Sequence, residues 1–298
     1  MKVGDFPIKG KIVVVTGGGS GINFSFVKKA VAEGCKVIIG DLTLTPEASK
    51  WFDKESKSSP VFFEKCDVTK WDQLKNLVTV SLKHFSDVPD VYVAGAGVFE
   101  PKWSNFWDDT EMERYAEMDI NASHPIKLTR IAMQSLAEKN KKGVVLSLAS
   151  IAGLQGTYSA ALYCASKHAV VGFTKSMTLA DELEGVKVAT ICPGLVYTPL
   201  WTDRHDAKQA LDRFGVVMEN AQTPDQVADL MLEVIQEGKY TGGAVVECTV
   251  GGSRIIPEWN ISPPPGVGSS VPREVLEKNV KPMRDIMSAY RQKAPANL

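Results

Sequence analysis

Residues 11–34 read KIVVVTGGGSGINFSFVKKAVAEG, and this stretch decides the fold. The apolar run at 11–16 has the length and β-branched content of a buried strand, and residues 17–21 are a glycine-rich turn. Beyond the turn, Ile22, Phe26, Val27, Ala30 and Val31 recur at the spacing of one helical face. A strand that turns tightly into a helix gathers backbone N–H groups and the positive end of a helix dipole at one place, which suits an anion such as a pyrophosphate. Gly17, Gly19, Ser20, Gly21 and Ile22 are therefore candidate dinucleotide-binding residues. Glycine-rich turns are common, and the position between strand and helix gives this one its weight.

The next strand, KVIIGD, ends at Asp41, followed by Leu42. A carboxylate about 20 residues beyond the glycine turn can accept both ribose hydroxyls of NAD, and it repels the extra phosphate of NADP. No arginine or lysine stands in the turn to hold that phosphate, so NAD is the expected cofactor. Downstream the chain keeps alternating. Strand VFFEKC leads to Asp67 and Val68, a helix follows, and strand DVYVAG enters residues 94–97. A long helix is expected over about 111–140, then strand GVVLSLAS, a helix containing YCASKHAVVGFTKSM, strand GVKVATICPG, helix TPDQVADLMLEVIQEG and strand GGAVVECTV. Such a series implies a parallel sheet covered on both faces, a doubly wound α/β fold in one domain. That domain is expected over residues 8–252. Residues 253–298 form a C-terminal extension, first rich in proline, glycine and serine and then a short helix interrupted at Pro282.

The chemistry concentrates at 150–167, SIAGLQGTYSAALYCASK. Tyr163 and Lys167 are four apart on a helix, which stacks a phenol and an ammonium on one face. A phenol near pKa ~10 is a poor base at neutral pH, but a neighbouring cation favours its ionised form. Ser150 closes an apolar strand and offers a hydroxyl donor. Together these groups suit proton transfer to or from an alcohol or carbonyl oxygen.

The frame of Ser150, Tyr163 and Lys167, joined to the glycine turn and to residues 193–198 (PGLVYT), resembles the short-chain dehydrogenase/reductase family over roughly residues 8–252. The resemblance implies a Rossmann-type fold. It also implies a catalytic set of Ser150, Tyr163, Lys167 and Asn121, with Asn121 kinking its helix and holding a water against the lysine. Pro125, which lacks an N–H, should itself loosen the helix there. Tyr163 and Lys167 would also touch the cofactor, as would Asp67, Val68, Ala94, Gly95, Pro193, Gly194, Val196 and Thr198. Two departures stand out. Asn23 replaces the last glycine of the family's TGxxxGxG turn, and AGAG at 94–97 replaces its NNAG.

Within the family the chain is similar to the NAD-dependent hydroxyprostaglandin dehydrogenase-like branch, and fungal secondary-metabolite alcohol dehydrogenases carry similar sequences. Ala160 stands where that branch's enzyme has a substrate-binding glutamine, so a prostaglandin is not the expected substrate. The resemblance implies an NAD-dependent oxidoreductase that converts a secondary alcohol to a ketone by hydride transfer. The alternatives are a carbonyl reductase running the reverse reaction and a non-catalytic NAD-binding scaffold. By position, Val98, Phe99, Leu154, Gln155, Leu195, Leu200, Trp201, Phe214 and Val217 should line the substrate pocket, the last several in a flap over 199–222. Family members commonly pair through the helices that correspond to 111–140 and 160–183, so a homodimer or homotetramer is expected. The apolar Ile255, Ile256, Trp259 and Ile261 should pack on a neighbour or over the active-site rim.

Composition narrows the setting. The 298 residues carry a net charge of −1, so no basic excess points to nucleic acid or a membrane surface. Five scattered cysteines show no metal spacing and cannot all pair. Cys164, beside Tyr163, is expected to be a small buried side chain rather than a nucleophile. The amino terminus lacks an apolar signal core and no run is long enough to span a bilayer, so a cytoplasmic protein is expected. His205, between two aspartates in the flap, is expected at the surface.

Overall fold

The computed structural model describes residues 2–108, 113–202, 211–212, 217–257 and 273–292. Eight strands form one sheet in the order β3-β2-β1-β4-β5-β6-β7-β8. They are β1 (Ile12–Thr16), β2 (Lys36–Asp41), β3 (Val61–Lys65), β4 (Val91–Ala94), β5 (Gly143–Leu148), β6 (Val186–Pro193), β7 (Val245–Thr249) and β8 (Gly252–Ile255). The first seven pair in parallel. The order reverses between β1 and β4, and that switch opens a crevice at the strands' carboxyl ends, where open α/β sheets bind their ligands.

All five residues of β1 are buried, because helices cover both faces of the sheet. Val13 and Val15 pack toward α1 (Gly21–Ala32), with Trp51 and Phe52 of α2 (Pro46–Glu55) at the margin of that core. Val14 faces the other way, onto α3 (Trp71–Phe85). In the region expected to hold one long helix, the described chain forms a short turn, α4 (Ala116–Met118), a π-helical segment (Asp119–Ser123) and α5 (His124–Glu138). Pro125 cannot donate an N–H, and the wider helical turn falls just ahead of it, at Asn121. Helix α6 (Ala161–Ser176) shares this face of the sheet. Next come α7 (Thr178–Glu184), the short α8 (Pro199–Thr202) and α9 (Pro224–Gln236). Thr223 caps α9 in a reciprocal capping box with Gln226, and its apolar stripe packs beside α1.

The structure revises the outer parts of the expected architecture. Residues 252–255 are a strand, not linker: β8 pairs antiparallel to β7, with Val246 opposite Ile255 and Glu247 opposite Arg254. Val3 and Phe6, ahead of the expected domain start, are buried in the core. The last helix, α10 (Arg273–Gln292), runs through Pro282 and packs on α5 and α7, where Arg130 bonds Tyr290 and Arg291 pairs with Glu184. The tail's described residues thus pair with β7 or, in α10, lie on helices of their own chain. Ile256 packs into a cluster beside α6, while Ile255 is 48% exposed. Trp259, Ile261, His205 and Phe214 lie outside the described residues. Among the described residues, no helix is long and apolar enough to cross a membrane, and no group of His, Cys, Asp or Glu could hold a metal ion.

Candidate active site

A cavity of about 620 Å³ opens at the carboxyl ends of the strands and runs from Asp41 at one end to Ser150, Tyr163 and Trp201 at the other. Its first wall is the glycine turn. A β-carbon on Gly17 would lie 2.7 Å from the Ala96 Cα, and one on Gly19 would lie 2.5 Å from the Thr43 carbonyl oxygen. Gly17 and Gly21 also take positive φ. Only glycine lets the turn fold this tightly against the neighbouring strand ends. The Gly19 N–H donates to Asp41 Oδ2 at 2.9 Å, and the Leu42 N–H donates to Asp41 Oδ1 at 2.7 Å. These bonds aim the carboxylate. Burial raises its pKa, and the amide donors oppose that rise. Asp67 lines the cavity while its carboxylate holds the Thr69 N–H and hydroxyl, which fixes the turn after β3.

The two sequence departures in this wall explain each other. A β-carbon on Gly95 would lie 2.2 Å from Asn23 Oδ1, so the Asn23 side chain fills the space that a side chain at 95 would need. Its Nδ2 donates to the Gly95 carbonyl at 2.9 Å. The Asn23 amide of α1 thus serves the β4 loop at the position where that loop carries a glycine. Ala94, expected at the cofactor, is instead buried in the core on the α3 side.

At the other end, Ser150 and Pro193 stand at the ends of adjacent strands, while Tyr163 and Lys167 project from α6. The Ser150 hydroxyl faces the Tyr163 phenol and favours its ionised form, while donating to the Pro193 carbonyl at 3.5 Å. Lys167 Nζ donates to the Leu148 carbonyl at 2.9 Å and sits 5.4 Å from the Tyr163 ring centre. Asn121 is buried. Its Oδ1 accepts from the Val98 N–H at 2.9 Å and its Nδ2 donates to the Val98 carbonyl at 2.8 Å, so the side chain pairs with the loop after β4 as a strand would. Burial pushes the Tyr163 phenol above its ordinary value, against the Ser150 hydroxyl, and pulls Lys167 down to about 8. The expectation that the lysine simply lowers the phenol therefore needs correcting. In this apolar pocket desolvation outweighs the neighbouring cation.

The predicted substrate wall is divided. Val98, Phe99, Gln155, Leu195, Leu200 and Trp201 line the cavity. The Phe99 ring lies 4.7 Å from Tyr163 and 4.6 Å from Trp201, forming an aromatic wall over the phenol. Leu154 packs inward beside Val170 and Val171, and Val217 is 54% exposed away from the lining. Of the predicted cofactor residues, Gly17, Ser20, Gly21, Ile22, Asp41, Leu42, Asp67, Val68, Gly95, Tyr163, Lys167, Pro193, Gly194, Val196 and Thr198 line the cavity, whereas Gly19 packs against Thr43 and Asp41 outside that lining. Cys164 is buried, as expected. Sequence reasoning missed Glu100, whose carboxylate accepts the Tyr163 N–H at 2.9 Å across 63 residues of chain. It thereby caps a helix that lacks a side-chain cap of its own. Its positive φ of 37° is no feature of composition or period, and no local signal could have found it.

The residues present fit a dinucleotide: a glycine turn too tight for a β-carbon, a carboxylate held by amides at one end, and small or apolar surfaces between. Lys167 is the one cation among the described lining residues. A family model described as short chain dehydrogenase matches residues 11–209. Among curated proteins, the chain is 27% identical over 274 residues to 15-hydroxyprostaglandin dehydrogenase (NAD(+)) of Mus musculus, covering 86% of this chain and 96% of that protein. It is 31% identical over 196 residues to L-fucose dehydrogenase of Bos taurus, covering 65% of this chain and 69% of that protein. Among solved structures, a short chain dehydrogenase/reductase from Burkholderia phymatum in complex with NAD superposes with a TM-score of 0.68. Its sequence identity is 23%, and the match covers 77% of this chain and 87% of that one.

Proposed function

Because the chain belongs to the short chain dehydrogenase family, we propose that it is an NAD-dependent oxidoreductase that interconverts a secondary alcohol and a ketone, with Tyr163 as the proton-transferring group. The observation that carries this reading is the convergence of Ser150, Tyr163 and Lys167 at one end of the cavity whose other end holds Asp41. Gly17, Gly19, Gly21 and Asp41 would hold the adenosine half of NAD, and Lys167, Gly194, Val196 and Thr198 the nicotinamide half. When bound, NAD supplies the acceptor for the hydrogen removed from carbon. Ser150 orients the substrate oxygen through its hydroxyl, and ionised Tyr163 takes the hydroxyl proton. Lys167 stabilises the phenolate by its charge. Asn121 fixes the loop that carries Val98 and keeps the π-helical turn open beside the lysine, where a water can pass the proton outward. The aromatic wall of Phe99 and Trp201 excludes water and favours a bulky, largely apolar alcohol.

A second reading, ketone reduction, is favoured by one observation: burial holds the phenol in its protonated form, the form that donates. The five buried free cysteines accord with a cytoplasmic setting, and assembly as a homodimer or homotetramer completes the proposal. A panel of secondary alcohols with NAD or NADP, followed by NADH or NADPH absorbance, tests it. NAD-linked oxidation is the expected result. Activity restricted to NADPH and ketones would reverse both direction and cofactor, and no turnover of any substrate by a protein that binds NAD would leave the scaffold alternative.

A further inference from the structure

Behind the site lies a carboxylate to which the mechanism above gives no role. Glu117, in α4, is 0% exposed. Its Oε1 accepts the Glu100 N–H at 3.1 Å and the Asn121 Nδ2–H at 3.4 Å. Asn121 Nδ2 also donates to Ser166 Oγ at 3.2 Å, and that hydroxyl donates to the Tyr163 carbonyl at 2.7 Å. The Tyr163 N–H donates to the Glu100 carboxylate. A hydrogen-bond network through Glu100, Glu117, Asn121 and Ser166, in which Asn121 Nδ2 shares its two N–H groups among Val98, Ser166 and, at the longest distance, Glu117, therefore begins and ends on the backbone of Tyr163. The turn that carries Glu117 packs directly on α6. Asn121 Oδ1 and Lys167 Nζ approach the same side of Gly97, 3.3 and 3.6 Å from where its β-carbon would stand. Glu117 is thus one hydrogen bond removed from the residue that flanks the lysine. A carboxylate withdrawn from water keeps its charge only with hydrogen-bond donors and a cation close by. Donors reach Oε1, and the buried cation on this side of the sheet is Lys167.

We infer that Glu117 is the buried counter-charge of Lys167, a positioning residue that sets the pH range over which the Tyr163–Lys167 pair works. The inference rests on the alcohol–ketone reading of that pair. Burial drives Lys167 to release its proton, and the Glu117 carboxylate is the largest influence opposing that loss. The same negative charge pushes the Tyr163 phenol upward, in addition to burial. Among the described residues, the other titratable groups facing this pocket are Glu100 from the loop after β4, Cys164 on α6, Cys192 on β6 and His124 at the start of α5. Asp119 is paired outward with Arg114. Burial lowers His124 to about 4, so it is neutral through the working range, and burial raises Cys192 to about 12. Removing one negative charge lowers the proton affinity of tyrosine and lysine together. Both limbs of the pH profile then move toward acid, whichever residue titrates on each limb.

Glu117→Gln keeps the acceptor oxygen and removes the charge. In the full-length, NAD-saturated protein, its kcat/KM profile should move toward lower pH by roughly 1 unit, the size of one nearby charge. The Lys167 side-chain NMR signal, in protein labelled at lysine Cε and assigned by its loss in Lys167→Met, should titrate lower by the same amount. That signal needs no substrate, so a protein that oxidises no alcohol still reports on the counter-charge, and the two proposals fail separately. Should Glu117→Gln not fold, Glu117→Asp and Glu117→Asn give the comparison at matched shape, the first titrating as the native protein and the second lower. An unmoved Lys167 titration, a shift toward alkali, or a uniform loss of kcat at every pH with no displacement would overturn the inference and leave Glu117 a packing residue.

Discussion

At the scale of single residues, the site is governed by desolvation. Tyr163 is expected to move the proton, and Tyr163→Phe keeps the ring's contact with Phe99 while removing the hydroxyl. Turnover should fall by about 100-fold or more, the usual share of a positioned acid or base, with NADH affinity retained in a fluorescence titration. Undiminished turnover would remove Tyr163 from the role. The pH dependence follows from the two shifts. A phenol raised by burial gains its ionised form only as pH climbs, so alcohol oxidation should rise through neutrality toward alkali while ketone reduction falls. Lys167, lowered to about 8, begins to lose its charge in the same range and caps that rise. Steady-state kcat/KM in both directions across this range checks the sign. Asp41→Ala should weaken NAD, because it removes the carboxylate and leaves the Gly19 and Leu42 N–H groups without their acceptor. It should also admit NADP, since the repulsion of the extra phosphate is gone. Equal affinities for NAD and NADP in the native protein, measured by calorimetry, would contradict the role of Asp41.

At the scale of elements, the junction of α1 with the end of β4 is the informative one. Asn23 and Gly95 share a volume that holds a single side chain. Gly95→Ala should therefore destabilise the protein by about 1–3 kcal/mol, the range for overpacking a filled core. Asn23→Gly should relieve that clash, so that the double variant is more stable than the sum of the single changes predicts. Chemical denaturation of the four proteins measures the coupling, and strict additivity would show that the loop opens to accommodate both. The π-helical segment is a second junction of this kind. It bends the chain so that Asn121 meets Val98 on one side and Ser166 on the other, a reach that a regular helix leading into Pro125 would not give.

At the scale of the whole molecule, the C-terminal helix bears on the proposed assembly. The resemblance places α5 and α6 at a subunit contact, yet α10 of the same chain covers part of α5 and ties to α7 through Arg291 and Glu184. Met287, only 5% exposed, anchors it. A chain ending at Pro257 should lose the burial of that side chain, worth about 1.5–3 kcal/mol, and melt several degrees lower. Its KM should stay native, because no described residue beyond Trp201 lines the cavity. Light scattering on the same protein reads whether the uncovered α5 recruits a second copy. Native melting temperature together with native mass would show that α10 contributes nothing to either.

The sequence by itself determined whatever repeats at short range. Period and turn chemistry set the order of strands and helices, because backbone geometry is local and a buried strand or a helical face is written in adjacent residues. The same locality writes the glycine turn, Asp41 at the end of β2, and the four-residue spacing of Tyr163 and Lys167 into the sequence. Only the tertiary structure decided what crosses the sheet order. Asn23 meets Gly95 across 72 residues, Glu100 caps α6 across 63, and Arg130 meets Tyr290 across 160. None of these pairs leaves a periodic trace, because each depends on which strand ends become neighbours when the parallel sheet closes. The proton affinities belong to the same class. A lysine four residues from a tyrosine implies a lowered phenol pKa, but burial reverses that shift, and burial is set by every element that packs around the pair.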